Sequence, residues 1–194
     1  MPYRFIIDSL PVTVYYILII INTSIVTGVH TDHWKKPLVV PTYKSGDTNS
    51  IVNYRPICLL PILSKILEKI VAIQLLDHLE SNKLLNNAQH GFRQNLSTET
   101  ALLTVTNSLY ENIEKKKISL LILLDLSKAF DSVSHPILLN KMSMLNIDLF
   151  WFENYLKNRL ESVRLGSIFS SPIEIRFGVP QVNIGSNSVY YSYK

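Results

Sequence analysis

The stretch Ile118-Ser119-Leu120-Leu121-Ile122-Leu123-Leu124-Asp125 largely decides the fold predicted for this 194-residue chain. Seven almost wholly apolar residues bounded by polar ones are typical of a β-strand buried on both faces. Asp125 would stand at the carboxyl end of that strand, where an unpaired charge is costly unless a cation neutralises it. Two roles therefore stay open for Asp125. It is either a metal ligand in phosphoryl or nucleotidyl transfer, or a structural acid that caps the following turn or pairs with Lys128.

Patterns typical of helices and strands alternate on both sides of this stretch. Periodicity, caps and breakers predict helices over residues 11–27, from Pro61 to the loop at 82–91, from Ser97 to the lysines at 115–117, over 136–146 and over 149–160. Strands are predicted at 37–43 and 173–177, with a turn at 44–47. The helix after Pro61 has one apolar face, formed by Leu63, Ile66, Leu67, Ile70 and Ile73. We therefore expect an α+β (mixed α/β) fold.

The composition is that of a globular chain, with 47% hydrophobic and 18% charged residues and a net charge of +4. A mild positive charge is compatible with a polyanionic partner without proving one. Cys58 is the single cysteine, so no internal disulfide can form and a reducing compartment is favoured. Because Cys58 lies in an apolar run, we expect it to be a buried small hydrophobe.

Residues 12–21 form a strongly apolar run near the N-terminus. A membrane span needs about 20 apolar residues, and this run has roughly half of that. The basic n-region and small-residue cleavage site of a signal peptide are also missing from the pattern. We therefore expect a buried helix, and we keep a membrane anchor through residues 12–21 as an alternative.

The motif LLDLSKAFDSVSH at residues 123–135 resembles the first catalytic motif of non-LTR (LINE-type) retrotransposon reverse transcriptases. Further blocks resemble this family in the same order: HWKKP at 33–37, VPTYKSG at 40–46, NYRPICLL at 53–60, SKILEK at 64–69, QHGFR at 89–93 with STE at 97–99, residues 151–159, and GVPQ at 178–181. Each motif alone is weak, but their order and spacing are specific. The resemblance covers about residues 15–181 and implies part of a right-hand polymerase fold.

The resemblance implies roles for three residues of the central motif. Asp125 would bind both catalytic magnesium ions, and the main-chain carbonyl of Leu126 would be a further ligand. Phe130 would lie under the deoxyribose, where a bulky ring excludes a 2′-hydroxyl. From the residue alone, plain core packing explains Phe130 equally well.

Three more residues are implied to contact the substrate. Arg55 would bind the incoming triphosphate through two N–H groups, which suits the geometry of a guanidinium group, and Lys44 would make a similar phosphate contact. Gln181 would touch the nucleotide or the template. Without the resemblance, Arg55 is an exposed surface base and Gln181 a turn amide. In the intact family the partners would be an RNA template, a DNA primer and a dNTP.

The implied organisation is an N-terminal apolar helix (1–30) leading into fingers (31–117), a partial palm (118–181) and a divergent tail (182–194). The family continues past Gln181 with Gly-Ser, which this chain does not have, and the paired aspartates of the family occur nowhere in it. We therefore expect a truncated or decayed domain, without a thumb, inactive alone and poorly soluble, in the nucleus or cytoplasm. A non-catalytic remnant that binds RNA or an RNA–DNA duplex is the alternative.

Overall fold

The computed structural model describes residues 3–126 and 128–180. The described chain contains helices and a sheet, which confirms the α+β class. It divides into two compact units, which are described separately. The first contains residues 3–75 and 128–180, and the second contains residues 76–126.

Helix α1 (Tyr3–Thr27) begins earlier than predicted and ends before Gly28, whose φ of +64° is left-handed. One stripe of the helix is buried through Ile21 and Ser24, and Ser24 Oγ donates to the carbonyl of Val29 at 2.7 Å. Most of the other apolar side chains between Val12 and Val26 are exposed, so the expectation of a buried helix was wrong. An amphipathic helix buries a single stripe, whereas α1 is apolar around most of its circumference.

The sheet described in the first unit contains five strands. Strands β1 (Leu38–Tyr43) and β2 (Tyr54–Leu59) form an antiparallel hairpin, and β1 also pairs in parallel with β3 (Arg159–Leu165). Strands β4 (Ile168–Phe169) and β5 (Ile173–Ile175) each pair antiparallel with β3. The strand predicted at 37–43 is thus present, whereas the one predicted at 173–177 is a strand only at Ile173–Ile175. Ile173 and Phe177 are both exposed, so the half-burial expected of the strand at 173–177 was wrong.

Helix α2 (Ile62–Ser81) confirms the helix predicted after Pro61, and its Leu67 is fully buried. Its predicted apolar face is only partly correct, because Ile73 is 55% exposed while Ser64 is fully buried. Helix α4 (His135–Met144) matches its prediction, whereas α5 (Phe150–Leu156) ends earlier because the chain enters β3 at Arg159. The core of this unit is an apolar cluster contributed by α1, α2, α5 and the short turn at Asp32–Lys35, namely Ile21, Trp34, Leu67 and Trp151. Cys58 is buried, as predicted.

Helix α3 (Thr98–Glu114) dominates the second unit and begins at the predicted cap. Ser97 Oγ accepts the N–H of Thr100, and the Thr100 hydroxyl in turn accepts the N–H of Ser97. In the preceding loop, Arg93 makes a bidentate ion pair with Glu80, with both N–O distances at 2.7 Å. These local contacts explain why this segment could be predicted from sequence.

The stretch at 118–124 does not form the buried strand that its sequence predicts. Within the described part of the chain it has no regular structure and no ladder partner. Its apolar side chains are between 54% and 101% exposed. A strand exists only where a neighbouring backbone takes its hydrogen bonds, and the described strands pair among themselves instead.

Candidate functional site

The β1–β2 hairpin places two predicted phosphate-binding residues on one face. Arg55 pairs with Thr42, and the N–H of Lys44 donates to the carbonyl of Asn53 at 2.8 Å, so the ladder continues past the end of β1. Because cross-strand partners share a face and alternate residues return to it, Lys44 and Arg55 project to the same side. Both are exposed, and neither forms an ion pair with a carboxylate of the described chain. The hairpin thus presents two cations to solvent.

The hairpin loop holds these two cations in a defined place. The Tyr43 and Tyr54 rings meet edge to face, with their centroids 5.7 Å apart. Each hydroxyl donates to a loop carbonyl: Tyr43 to Gly46 at 2.6 Å, and Tyr54 to Thr48 at 2.9 Å. The loop between Lys44 and Arg55 is therefore fixed by its own side chains rather than by propensity alone.

Phe130 lies in a tight turn that begins at Lys128, a non-glycine residue with a left-handed φ of +53°. The Lys128 carbonyl accepts the N–H groups of Asp131 and Ser132 at 3.0 and 3.1 Å. The Phe130 ring is half-buried. Positive φ at a lysine costs about 1 kcal/mol or more, so the surrounding contacts must hold this turn.

Those contacts come from the segment at 177–179, which runs alongside the turn. The Val179 N–H donates to the Phe130 carbonyl at 3.0 Å, and the Gly178 N–H donates to the Val133 carbonyl at 2.8 Å. Ser134 and Phe177 form an isolated antiparallel bridge. The predicted sugar-contacting residue is thereby joined, backbone to backbone, to the segment that leads into Gln181. Gln181 itself lies outside the described residues.

A cavity of about 240 Å³ lies where the hairpin, the turn and this segment meet. Pro56, Asp131 and Pro180 all line it, and each is the immediate neighbour of a predicted site residue: Arg55, Phe130 and Gln181 respectively. Cys58, Arg159 and Glu161 line it from the sheet. The chain next to three residues predicted to contact substrate thus reaches one place within the first unit.

The sheet side of the cavity carries buried charge. Arg159 is 1% exposed, donates to the Tyr155 carbonyl at 3.2 Å, and lies over the Tyr155 ring. Burial raises the pKa of Glu161, while the nearby Arg159 charge partly opposes that shift. Cys58 Sγ lies 3.8 Å from Glu161 Oε1. Sequence periodicity did not predict that Arg159 and Glu161 line this cavity.

Asp125 and Leu126 belong to the second unit, and both are exposed. Asp125 therefore does not stand at a buried strand tip, although that position was the local reason to expect a metal ligand. In the described ranges no three His, Cys, Asp or Glu side chains come close enough to hold a metal ion. The residues present do not form a complete metal site, although the exposure of Asp125 leaves its carboxylate open to an ion.

His135 contacts the cavity-lining residue Gly178, and sequence analysis did not predict this contact. It is the last residue of the central motif and the first of α4, and its Nε2 lies 2.7 Å from the Gly178 carbonyl oxygen. A histidine at a helix start is a weak signal by itself. Only the fold brings it to a residue 43 positions away.

The chain is similar to known polymerases over most of its length. The profile of the family described as reverse transcriptase (RNA-dependent DNA polymerase) matches residues 43–188. The chain therefore belongs to the reverse transcriptase family, in the branch carried by non-LTR retrotransposons. Polymerases of this family depend on metal ions and use a nucleic-acid template and primer.

Three proteins of Drosophila melanogaster are among those similar to this chain. They are a probable RNA-directed DNA polymerase from transposon BS (31% identical over 91% of this chain), the RNA-directed DNA polymerase from mobile element jockey (32% over 90%), and a probable RNA-directed DNA polymerase from transposon X-element (28% over 93%). The chain spans about a fifth of the length of these curated relatives, covering 20%, 19% and 20% of them.

The membrane interpretation receives no support from these relatives. Residues Ile7–Thr27 form a 21-residue helical segment with a mean hydropathy of 1.8, long and apolar enough to cross a bilayer by those two criteria alone. The apolar helical segment is thus about twice as long as the run at 12–21 that the sequence pattern delimits. Core helices and signal sequences meet the same criteria, so the segment does not discriminate between these classes.

Proposed function

We propose that the first unit forms the incoming-nucleotide side of an RNA-directed DNA polymerase, within a partial right-hand polymerase fold. One observation carries this proposal: the chain at Pro56, at Asp131 and at 178–180 lines a single cavity. These segments are far apart in sequence, and they adjoin three residues that the family resemblance assigns to substrate. Convergence of the chain next to assigned residues is support that their order along the sequence does not give.

In this proposal the hairpin supplies the charge that binds the triphosphate. Arg55 donates two parallel N–H groups to phosphate oxygens, and Lys44 adds a point charge on the same face. Phe130 sets sugar specificity, since a ring against C2′ leaves no space for a hydroxyl. Gln181 then contacts the nucleotide or the template beside that ring.

The ion proposed for the intact polymerase is Mg²⁺, which prefers carboxylate and phosphate oxygens. Asp125 and the Leu126 carbonyl are the groups in this chain that would contribute to its site. A two-metal centre needs carboxylates around ions about 4 Å apart, and the sequence contains no adjacent aspartates to complete it. We therefore expect the purified chain to bind nucleotide without polymerising it.

Equilibrium dialysis with radiolabelled dATP and ATP, in buffer containing Mg²⁺, tests nucleotide binding directly, because the two ligands differ only in the 2′-hydroxyl. We expect tighter binding of dATP. Arg55→Ala should weaken both ligands by about 10-fold or more, the usual effect of removing a charge-assisted hydrogen bond. Arg176→Ala is the matched control: it removes a 78% exposed arginine paired with Glu174, and should leave binding unchanged.

Two results would contradict this proposal. Equal loss of binding in the Arg55 and Arg176 variants would mean that only overall charge matters, as in a non-specific nucleic-acid binder. Processive DNA synthesis by the purified chain, on an RNA template with an annealed primer, would overturn the expected inactivity.

A further inference from the structure

The contact between His135 and Gly178 joins a side chain to the backbone where two chain segments pass close to each other. Gly178 has a left-handed φ of +84°. A Cβ built at this position would lie 3.0 Å from both the Cα and the carbonyl oxygen of Asp131. The two backbones therefore approach as closely as they do only because residue 178 lacks a side chain.

Chemistry fixes the direction of this hydrogen bond. A carbonyl oxygen has no proton to give, so at 2.7 Å the Nε2 of His135 must be the donor. The ring therefore carries its proton on Nε2, in a half-buried position at the first residue of α4. A helix is a rigid element, so the ring attached to its first turn holds the Gly178 carbonyl in place.

Three hydrogen bonds therefore join residues 130–135 to residues 178 and 179. Val179 N–H donates to the Phe130 carbonyl, Gly178 N–H to the Val133 carbonyl, and His135 to the Gly178 carbonyl. Only the third involves a side chain, and only the third can be removed by substitution without changing the backbone. A substitution at His135 can therefore change the distance between Phe130 and the segment leading to Gln181.

We propose that His135 is a positioning residue for sugar discrimination, acting through the Gly178 carbonyl to hold the turn at Phe130 against the 178–180 segment. This proposal rests on the proposed nucleotide site. It assigns His135 no contact with substrate. Loss of the hydrogen bond lets the two segments separate, which opens space beside the Phe130 ring and admits a 2′-hydroxyl.

The test compares His135→Gln, which keeps a side-chain N–H donor, with His135→Phe, which keeps a ring but has no donor. The readout is the ratio of the ATP and dATP dissociation constants from equilibrium dialysis with Mg²⁺. We expect His135→Phe to reduce this ratio by about fivefold, the value of one hydrogen bond, and His135→Gln to retain most of it. Thermal unfolding of each variant establishes that it is folded.

His90→Phe is the matched control. Its Nδ1 lies 2.8 Å from the Thr100 hydroxyl in the second unit, so the substitution removes a similar hydrogen bond elsewhere. We expect it to leave the ratio unchanged. In addition, long-range ¹H–¹⁵N correlation spectra of histidine-labelled protein at pH 8 should show His135 protonated on Nε2 and not on Nδ1.

The outcomes separate the two proposals. If the wild-type chain binds neither nucleotide, the nucleotide site is wrong, and the positioning role falls with it. If the wild type discriminates and folded His135→Phe keeps the same ratio, only the positioning role is overturned. The positioning role is likewise overturned if both His135 variants lose discrimination equally, or if the ring is protonated on Nδ1, because the donor would then not matter.

Discussion

Two apolar regions of this protein differ in burial: one is packed in the core and the other is exposed. The face of α2 around Leu67 packs against Trp34 and Trp151, and Leu67 is fully buried. The run at 118–124 is more hydrophobic, yet Leu124 is 90% exposed. The first region is buried within the first unit, and the second has no regular structure within its own unit.

The difference shows that hydrophobicity alone does not determine burial. An apolar segment is buried only where other parts of the chain pack against it or pair with it. A helix satisfies its own backbone hydrogen bonds, so α2 needs only an apolar surface to pack against. A strand needs a second backbone, and no described strand offers one to residues 118–124. Exposed, unpaired apolar segments of this kind are sites of aggregation.

The largest expected effect is the loss of the buried anchor. Leu67→Ala should lower the free energy of unfolding of the first unit by roughly 2–5 kcal/mol, because the cavity left in a packed core is not refilled. Urea denaturation followed by tryptophan fluorescence measures it, since Trp34 and Trp151 both lie in this core. Ile73→Ala, at a 55% exposed position on the same helix, is the control and should cost far less. Equal losses would mean that the packing around Leu67 is not formed.

The second effect is a loss of stability in acid caused by His30. Its ring is 1% exposed among Trp34, Trp151 and Tyr155, with no hydrogen-bond partner for either ring nitrogen in the described chain. Burial, with the charges of Arg159 and Lys35, lowers the pKa of His30 from 6.5 to about 4. The unfolded state therefore binds the proton more tightly, and stability falls as pH drops from about 6.5 towards 4, by on the order of 3 kcal/mol in total.

Urea denaturation between pH 7 and pH 4 tests this, with His30→Leu against wild type. Burial raises the pKa of Glu68 and of Glu161, so those two carboxyls contribute the opposite slope, losing stability as pH rises. The difference between wild type and His30→Leu isolates the histidine. His33→Gln, at an exposed histidine three residues away, is the control for loss of a histidine side chain. A His30→Leu protein with an unchanged slope would show that the ring is already accessible to solvent.

The smallest expected effect on stability concerns the exposed run. The double variant Leu120→Lys with Leu123→Lys should change the unfolding free energy by less than about 0.5 kcal/mol, because both side chains are more than 80% exposed. Light scattering at matched concentration should nevertheless show less aggregation, since charge interrupts an apolar segment. Val39→Lys places the same residue in a buried strand position and should prevent folding. Unfolding of the double variant would mean that the run is buried after all.

The candidate site likewise contains residues that the sequence identified and one that only the fold revealed. Lys44, Arg55 and Phe130 were identified by resemblance to a family, and the fold brings the chain beside two of them, at Pro56 and Asp131, to one cavity. His135 could not be identified in this way, because its partner is a main-chain carbonyl and a carbonyl has no sequence signature. The role of Asp125 as a metal ligand stays a prediction, and Gln181 lies outside the described residues.

Sequence by itself determined the helices of the first unit, the capped helix α3, the strand at 38–43 and the family to which the chain belongs. Each of these depends on local periodicity, on caps within one turn, or on motifs whose order is preserved along the chain. Tertiary structure alone decided which apolar residues are buried and that the run at 118–124 forms no strand. It also decided that Gly178 meets His135. Those outcomes depend on which distant backbone arrives at a given place, and hydrogen bonds between backbones are independent of side-chain identity.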